Sequence, residues 1–350
     1  MFVQDHISLY EQFLNEENSR VDPQHWKFIS EQDGCRAYSE RRGNVDDGSG
    51  SSGDDVPLHV DTPRSELPTI LVTGIVLGDQ EDAIYGYICP NLDQMRIKTS
   101  YVNNQLIGAH VLATIVPPTP EDPFRAVTIK WMEKGQRLHV RAVVKNRDFV
   151  YMEATGVGYL RNGVGYQLLH SVQFLDTPPL DGYIRGNMSM CACYRQKDPY
   201  STKVFIKGYL NPAGGLMRSI VLHSAATALL SVSKNVYCAQ MKKLVCDQKS
   251  PTQSRREIRC CHRDGFRQMR NMQGASQANA QLIGREKAKA DVHRLAEQDV
   301  HFCKPCLSDA LVTKARGIAR DEVISRSELY EWSNTYGSSS GNETVPLDEH

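Results

Sequence analysis

The stretch VKNRDFVYMEATG, residues 144–156, decides the fold class. Its residues alternate, yet both alternating sets are mostly apolar, with Phe149 and Tyr151 in one set and Val150 in the other. This pattern is typical of a strand that is covered on both faces of a sheet. Glu153 interrupts the first set. A carboxylate in the middle of such a strand needs a partner, a raised pKa or a solvated position, because burying a lone charge is costly.

Other strand-like runs surround this stretch between residues 69 and 210, and turns containing Pro, Gly or Asn separate them. Many short antiparallel strands predict a curved sheet or a partly closed barrel. A short helix is predicted over Gln80–Tyr87, and a long helix over residues 216–245 follows the last strand. The first half of the long helix is apolar all round, so it either packs tightly on the sheet or closes a cavity with its small residues.

Composition narrows the class of protein further. The 350 residues suggest two modest domains or one large domain with tails, and Lys+Arg and Asp+Glu balance at 41 each. No bulk charge therefore favours nucleic acid as a partner. The ten cysteines are scattered, and the N-terminus lacks the apolar core of a signal peptide, which together indicate a cytoplasmic protein with reduced thiols.

Sequence motifs of catalysis are not found. The chain contains no Gly-rich phosphate loop, no nucleophile elbow and no H-E-x-x-H motif. The histidines are scattered, and no set of nucleophile, base and orienting residue can be assembled from the sequence. We therefore expect a protein that is not an enzyme.

The order of several motifs matches a known family. HWKFISEQDGCRAYSE near the start is followed by NRDFVYMEATG, HSVQFL, YIRGNMSMCACYRQ, KVFIKGYLNPAGG and a long helix to QMKKL. This order resembles the START domain, the lipid-transfer fold of the steroidogenic acute regulatory protein family. More narrowly, it resembles the oomycete proteins that join a START domain to a FYVE finger. The resemblance covers about residues 20–245, and Asn146 stands where many members have proline.

The resemblance implies an α+β helix-grip fold. In that fold a curved antiparallel sheet packs on a long C-terminal helix and encloses a hydrophobic tunnel for one lipid or sterol, with no cofactor required. The segment of residues 176–183 is the expected lid. The residues that we expect to contact the ligand are Trp131, Arg141, Phe149, Tyr151, Glu153, Val221, Ala225, Ala228 and Val232.

Glu153 has a special place in this comparison, because some family members carry a charged residue, often Arg, at the matching tunnel position. Here the sign is reversed. Arg96, Lys98 and Arg141 are the candidate cationic partners, and such a pair could hydrogen-bond a sterol hydroxyl or a lipid head group. The alternative is that Glu153 lies on a solvated rim. The neighbouring Arg147-Asp148 is interpreted as a structural ion pair at the start of the strand.

The remaining segments differ in composition. Residues 1–19 are predicted as an N-terminal helical segment, with the helical pattern extending to residue 32 and broken at Pro23. Residues 20–245 are predicted as the lipid-binding domain with a flexible loop over 43–57. The rest of the chain divides into a basic linker over 246–290, a remnant of a FYVE-like finger over 291–315 and a polar, disordered tail over 316–350. A short helix is expected over residues 285–298.

Two cysteines near the C-terminus have the spacing of a zinc knuckle. Cys303 and Cys306 form a C-x-x-C pair, and Cys260 and Cys261 lie upstream but are adjacent rather than spaced. One interpretation is a degenerate finger without metal. A second is one zinc ion held by Cys303, Cys306 and two upstream ligands. A third, an intact finger that binds a phosphoinositide, lacks the required ligands.

Three functions follow from these patterns. The first is non-catalytic binding of a single lipid or sterol, for transfer or sensing, with transient contact to a membrane surface. The second is an adaptor with a START-like scaffold that acts at endosomal membranes or on protein partners. The third is an enzyme on a helix-grip scaffold, which would need a polar pocket with perturbed titrating groups. In each case we expect a cytoplasmic protein that contacts endosomal membranes peripherally.

Overall fold

The structure is a computed structural model. It describes residues 8–13, 20–41, 57–59, 61–102, 106–134, 145–157, 163–174, 177–247, 278–285, 295–302, 308 and 311–337. None of the helices in these ranges is both long enough and apolar enough to cross a membrane.

A large antiparallel sheet organises the described residues. In chain order its strands are β1 Trp26–Gln32, β2 Cys35–Glu40, β4 Thr69–Leu77, β5 Leu106–Val116, β6 Ala126–Lys134, β7 Arg147–Val157, β8 Gly165–Ser171, β10 Asn187–Asp198 and β11 Ser201–Asn211. In space they follow the order β1-β2-β4-β11-β10-β8-β7-β6-β5, and the short β9, Ile184–Arg185, pairs in parallel with β7. Two small pairs lie apart: β3 Pro57–Leu58 with β12 Leu216–Met217, and β13 Ala278–Arg285 with β14 Leu295–Phe302.

The helices complete the α+β architecture. They are α1 over residues 8–13, α2 Gln80–Tyr87, α3 Leu92–Val102, α4 Arg218–Leu230, α5 Asn235–Asp247 and α6 Ala315–Gly337. Helix α4 lies across β1, β2, β4 and β11, α3 contacts β5, and α5 packs on α2. The face of the sheet under α4 is called the inner face here, and the opposite face the outer face.

Both faces of the sheet are covered, as the apolar alternation in residues 144–156 predicts. On the inner face, Val72, Val204 and Ile206 pack with Leu222 and Ala225 of α4. On the outer face, Tyr10 and Phe13 of α1 pack on Leu71, Cys193 and Phe205. This two-sided burial explains why the central strands carry few polar residues on either face.

The long helix that was predicted over residues 216–245 is interrupted. Leu216–Met217 is a strand, and a 3₁₀ turn, Ser231–Lys234, separates α4 from α5. The Ser231 hydroxyl donates to the carbonyl of Ala228 at 2.5 Å. A serine that bonds back to the preceding turn is compatible with the tighter 3₁₀ geometry at this point.

The N-terminal helix does not extend through Trp26, because Trp26–Gln32 and Cys35–Glu40 form a hairpin. Asp33 and Gly34 have φ angles of 46° and 80° and close its two-residue turn. Asp-Gly is the favoured pair for such a turn, and it is the signal in the sequence that indicates the hairpin. Helix α3 was not predicted either, because the apolar residues of Leu92–Val102 are irregularly spaced among polar ones and strand-like runs follow directly.

The C-terminal tail is the largest correction to the predicted organisation. Residues 315–337 form α6 instead of a disordered segment, and Ala315, Ala319 and Val323 are buried at helical spacing. Ion pairs join Lys314 to Asp79 at 3.0 Å and Arg316 to Glu81 at 2.8 Å. Alanines make a weak hydrophobic signal, so the buried stripe was hidden in a polar sequence.

Two smaller corrections concern the predicted loop and the predicted short helix. Pro57 pairs with Met217, so it belongs to a strand and not to the flexible loop. Residues 278–285 and 295–302 form an antiparallel pair where a helix was expected over 285–298. The intervening residues 286–294 lie outside the described ranges.

Candidate functional site

Glu153 lies on the inner face of the sheet, not on a solvated rim. Alternation along β7 places Phe149, Tyr151 and Glu153 toward the helices, and all three are buried, with 6% of Glu153 exposed. The carboxylate therefore sits in the protein interior, where a charge without a partner would be strongly destabilising.

The partner of Glu153 is Lys130 on the adjacent strand β6. The register places Lys130 directly opposite Tyr151, so it is diagonal to Glu153 on the same face. Its ammonium group contacts one carboxylate oxygen of Glu153 and donates to the carbonyl of Cys89 at 2.8 Å. The amide of Gln167 on β8 donates to the other carboxylate oxygen at 2.6 Å. Both carboxylate oxygens thus have a donor.

These contacts determine the charge state of the carboxyl group. Burial by itself raises the pKa of Glu153, but the charges of Lys130 and Lys98 and the hydrogen bonds from Lys130 and Gln167 outweigh it. The net effect is a pKa below the usual 4.5, so Glu153 is ionised at neutral pH. The site is a buried ion pair on the inner face.

The sequence pointed to the right carboxylate but to other cations. Lys98, one of the predicted partners, acts on Glu153 through its charge and not through a hydrogen bond. Arg141, another predicted partner and predicted ligand residue, lies outside the described residues. The missed signal is the lysine in TIKWM, since Lys130 interrupts a buried strand just as Glu153 does.

A small cavity adjoins the ion pair. Its volume is about 10 Å³, which suits about one water molecule. It lies against the turn between α2 and α3, and its lining residues are Ile88, Cys89, Pro90, Pro118, Ala126, Thr128, Lys130, Glu153 and Thr155. The polar lining can offer hydrogen bonds from Lys130 and to Glu153, so it would suit a hydroxyl group as well as water.

An apolar cluster continues the inner face away from the ion pair. Phe149, Tyr151, Met188 and Met190 are buried there and form the inner cluster. The side chains packed against the inner cluster keep partial solvent accessibility although they face the helices; they are Met132, Leu169, Leu210 and Leu229. These four side chains form a partly accessible border of the inner cluster.

The predicted ligand residues on the helical side divide into two groups. Val221 and Ala225 of α4 are buried toward the sheet, and Val232 is buried in the 3₁₀ turn. Ala228 is exposed on the opposite side of α4, so its predicted place in the interior is wrong. The apolar composition of the helix did not reveal which side faces the sheet.

Trp131 is also misplaced in the prediction. It follows Lys130 on β6 and therefore points to the outer face, where its indole donates to Asp148 at 3.1 Å. Its ring lies 6.0 Å from that of His110, measured between centroids. Trp131 thus lies across the sheet from the inner cluster and takes no part in the site.

Arg147 and Asp148 do not pair with each other, because neighbouring residues of a strand point to opposite faces. Asp148 pairs with Arg185 at 2.8 Å. The Arg147 guanidinium donates to the carbonyls of Pro212 and Ala213, each at 3.3 Å, and to that of Lys145. Arg147 therefore ties β7 to the turn that precedes α4.

The predicted lid segment is held at both ends. Arg185 donates to the carbonyls of Thr177 at 3.1 Å and Pro178 at 3.0 Å, and the Tyr183 hydroxyl donates to Glu133 at 2.7 Å. Between these anchors, Leu180 is 46% exposed. The segment is thus fixed at its base and uncovered at its tip.

The zinc hypothesis concerns residues that the structure does not describe, since Cys260, Cys261, Cys303 and Cys306 all lie outside the described ranges. Within those ranges no group of three or more potential metal ligands comes together. Five cysteines in the described ranges are buried free thiols, namely Cys35, Cys89, Cys191, Cys193 and Cys238.

The fold and site together define an α+β protein in which an antiparallel sheet packs its inner face on helices and buries one ion pair there. Solved structures of similar fold include human StAR-related lipid transfer protein 5, with 16% identity, a TM-score of 0.46 and coverage of 68% of this chain and 97% of that one. Human STARD10 shows 14% identity and a TM-score of 0.44, over 68% of this chain and 82% of the other.

A bacterial structure gives a similar result. The STAR-related lipid transfer protein from Xanthomonas axonopodis, a fragment, shows 13% identity and a TM-score of 0.40 over 61% of this chain and 99% of the other. No protein-family model matches the chain, and no curated protein matches its sequence.

Proposed function

We propose that this protein binds a single lipid or sterol, without catalysis, between the inner face of the sheet and α4. The observation that carries the proposal is the ion pair of Lys130 and Glu153, buried between the apolar inner cluster and a small polar-lined cavity. An ion pair in such a place is weak evidence for stability alone, because apolar residues of similar size would serve equally well.

The polar end of the ligand would occupy the small cavity. A hydroxyl group there can accept a hydrogen bond from Lys130 and donate one to Glu153, so the ligand would take the place that suits a water molecule. Gln167 holds the carboxylate from the other side at 2.6 Å and thereby fixes the orientation of the acceptor. A sterol or a lipid with a hydroxyl group meets these requirements.

The apolar body of the ligand would lie on the inner cluster. Burying apolar surface contributes roughly 25 cal/mol per Å², so a lipid chain that replaces water there would supply the main driving force. Leu210 and Leu229 are only partly buried, which supports room for an alkyl chain beside the inner cluster. Because the cavity at the ion pair is small, binding requires α4 or the segment over 177–183 to move outward.

The experiment is native mass spectrometry of the purified full-length chain, followed by lipid extraction. We expect a stoichiometric mass excess that disappears on extraction. The matched control is the double variant Lys130→Met/Glu153→Leu, which keeps an apolar interior and should lose preference for hydroxyl-bearing lipids. Wild-type protein without bound lipid that also takes up no fluorescent lipid from vesicles would refute the proposal.

A second candidate function, an adaptor with a filled interior, is favoured by the volume of about 10 Å³ at the ion pair. In that case the scaffold would act through its surface and its C-terminal segments. The same measurement separates the two, since an adaptor carries no lipid and its folding is unaffected by added lipid.

The setting that we propose is cytoplasmic, with transient contact to endosomal membranes, and it is supported by the family resemblance of residues 20–245. The two interpretations of the C-terminal cysteines, one zinc ion or none, are distinguished by elemental analysis of the full chain. A ratio near one zinc per chain that falls in a Cys303→Ser/Cys306→Ser variant would support the metal site.

A further inference from the structure

Thr128 on β6 is a polar residue of the interior that the ion pair leaves unused. It is 3% exposed and lines the small cavity beside the ion pair. The register places Thr128 directly opposite Glu153 on β7, and it precedes Lys130 by two residues, so all three side chains lie on the inner face. The cavity therefore has a hydroxyl group beside an ammonium group and a carboxylate.

The hydroxyl group of Thr128 makes no hydrogen bond to another described residue. Within the described part of the chain, the side-chain polar atoms that are both unpartnered and fully enclosed belong to Tyr10 and Gln94. The Thr128 oxygen thus keeps some accessible surface, and on the inner face that surface adjoins the cavity. Valine has the same shape, suits a strand equally well and needs no partner. Stability alone does not account for threonine at this position.

Thr155 provides the contrast within the same cavity. It lies on the inner face of β7 and lines the cavity, but its hydroxyl group donates to the carbonyl of Phe124 at 2.8 Å. A hydroxyl group has a single hydrogen, so Thr155 has no donor left for a ligand. The two threonines differ in whether the protein itself engages the hydroxyl group, and Thr128 is the one that remains available.

The groups that remain available around the cavity match one alcohol. The ammonium group of Lys130 has three N–H donors and uses two of them, for the carbonyl of Cys89 and for Glu153. Thr128 offers a second donor, and the carboxylate of Glu153 has further lone pairs that can accept. An alcohol can accept two hydrogen bonds and donate one, so it uses all three groups. A ketone would use the two donors alone, and a hydrocarbon would use none.

We propose that Thr128 is a specificity-determining residue of the interior site and selects ligands that end in an alcohol. This inference rests on the proposed binding of a lipid or sterol at the ion pair. Thr128 and Lys130 donate to the alcohol oxygen, and Glu153 accepts its hydrogen. The cavity of about 10 Å³ admits one group of the size of a water molecule, which is the hydroxyl end. The apolar body then lies toward Tyr151, the preceding inner-face residue of β7.

The test uses two matched pairs of probes: cholesterol with its deoxy analogue cholestene, and hexadecanol with hexadecane. The purified full-length chain is incubated with phosphatidylcholine vesicles that carry both members of a pair in equal amounts, and is then re-purified. The bound lipids are extracted and quantified. In the pair that binds, we expect the alcohol to exceed the hydrocarbon at least about tenfold, since its hydrogen bonds include two with charged groups. The pair that binds identifies the apolar body as a sterol or a single chain.

Variants assign this preference to Thr128. Thr128→Val should reduce the ratio of alcohol to hydrocarbon about fivefold, the factor that corresponds to one neutral hydrogen bond. Thr128→Ser keeps the hydroxyl group and should keep most of the preference. The matched control is Thr202→Val, because Thr202 is also buried but lies outside the cavity, with its hydroxyl group donating to the carbonyl of Gly78 at 2.9 Å. This control should leave the ratio unchanged.

Three results would overturn the inference. A wild-type ratio in Thr128→Val, with lipid still bound, would show that Thr128 only packs in the strand or holds a water molecule, and the proposed function would stand. Uptake of phosphatidylcholine without either alcohol would show that the ligand does not end in an alcohol. Wild-type protein that takes up no lipid at all would remove the proposed function itself. Circular dichroism of each variant confirms that the fold is retained.

Discussion

Lys130 and Glu153 stabilise each other across two neighbouring strands, and neither side chain suits the interior alone. The carboxylate has donors on both oxygens, and the ammonium group bridges it to the carbonyl of Cys89. Sequence analysis identified Glu153 as an interruption of a buried strand but missed Lys130, which interrupts the neighbouring strand in the same way. It does not pair them, because the pairing depends on the register between β6 and β7.

Single and double substitutions measure this coupling. Lys130→Met leaves a buried carboxylate with Gln167 as its remaining donor, so we expect a loss of about 3–5 kcal/mol in the free energy of unfolding. Glu153→Leu should be destabilising in the same way. The double variant Lys130→Met/Glu153→Leu should recover most of the loss, as measured by urea denaturation. Additive losses in the double variant would contradict the coupling.

The ion pair also predicts a pH dependence. The pKa of Glu153 is lower in the folded protein than its usual 4.5. The contribution of ionised Glu153 to the free energy of unfolding is therefore fully present above pH 4.5. It is lost as the pH falls through the lower pKa that Glu153 has in the folded protein. The stability of wild type relative to the double variant should be constant between pH 5 and 7, a range set by the usual carboxyl pKa, and should decrease below it. A relative stability that stays constant in acid would show that folding does not lower the pKa of Glu153, and one that rises in acid would show that the carboxyl group is neutral in the folded state.

Helices α2 and α5 are packed so closely that one position accepts glycine alone. A Cβ atom at Gly86 would lie 1.9 Å from the carbonyl oxygen of Asn235. The composition of α2 predicts a helix, and the structure confirms it, but a glycine in the last turn looks like a helix terminator in sequence. Its actual role, the close approach of two helix backbones, depends on a contact with residues about 150 positions further on.

Gly86→Ala and Gly317→Ala should have opposite effects. Alanine normally stabilises a helix relative to glycine by about 1 kcal/mol. A Cβ added at Gly317 of α6 would meet no atom within 4 Å, so Gly317→Ala should stabilise the protein by up to that amount. Gly86→Ala should instead lose about 1–3 kcal/mol through overpacking. Thermal unfolding of both variants checks this. Stabilisation at both positions would show that α2 and α5 are not in contact.

Across the whole molecule, sequence patterns predicted the antiparallel sheet and the covering of both its faces, but not the spatial order of its strands. They did not give the docking of α6, because its contact residues are alanines and its ion pairs reach back to residues 79 and 81. Of the predicted ligand residues, periodicity placed Phe149, Tyr151 and Glu153 on one face together. It could not assign Trp131 to the outer face, since a neighbouring strand can be shifted by one residue without changing its composition.

The last prediction concerns which part of the molecule opens for a lipid. Gly182, in the segment over 177–183, and Gly215, before α4, both have positive φ, of 80° and 72°. An added Cβ at Gly182 meets nothing within 4 Å, and at Gly215 it would lie 3.7 Å from the Cε1 atom of His59, so alanine strains each backbone without a clash. The strain, about 1 kcal/mol or more, disfavours the closed conformation at that position alone.

If the segment over 177–183 is the gate, Gly182→Ala should raise the open population and accelerate lipid uptake by roughly fivefold, the factor that corresponds to about 1 kcal/mol. Gly215→Ala should leave the rate unchanged, because Arg147 fixes the turn before it to β7. Stopped-flow transfer of a fluorescent lipid from vesicles measures both rates. Faster uptake in Gly215→Ala alone would assign the gate to α4, and unchanged rates in both variants would contradict gating at either place.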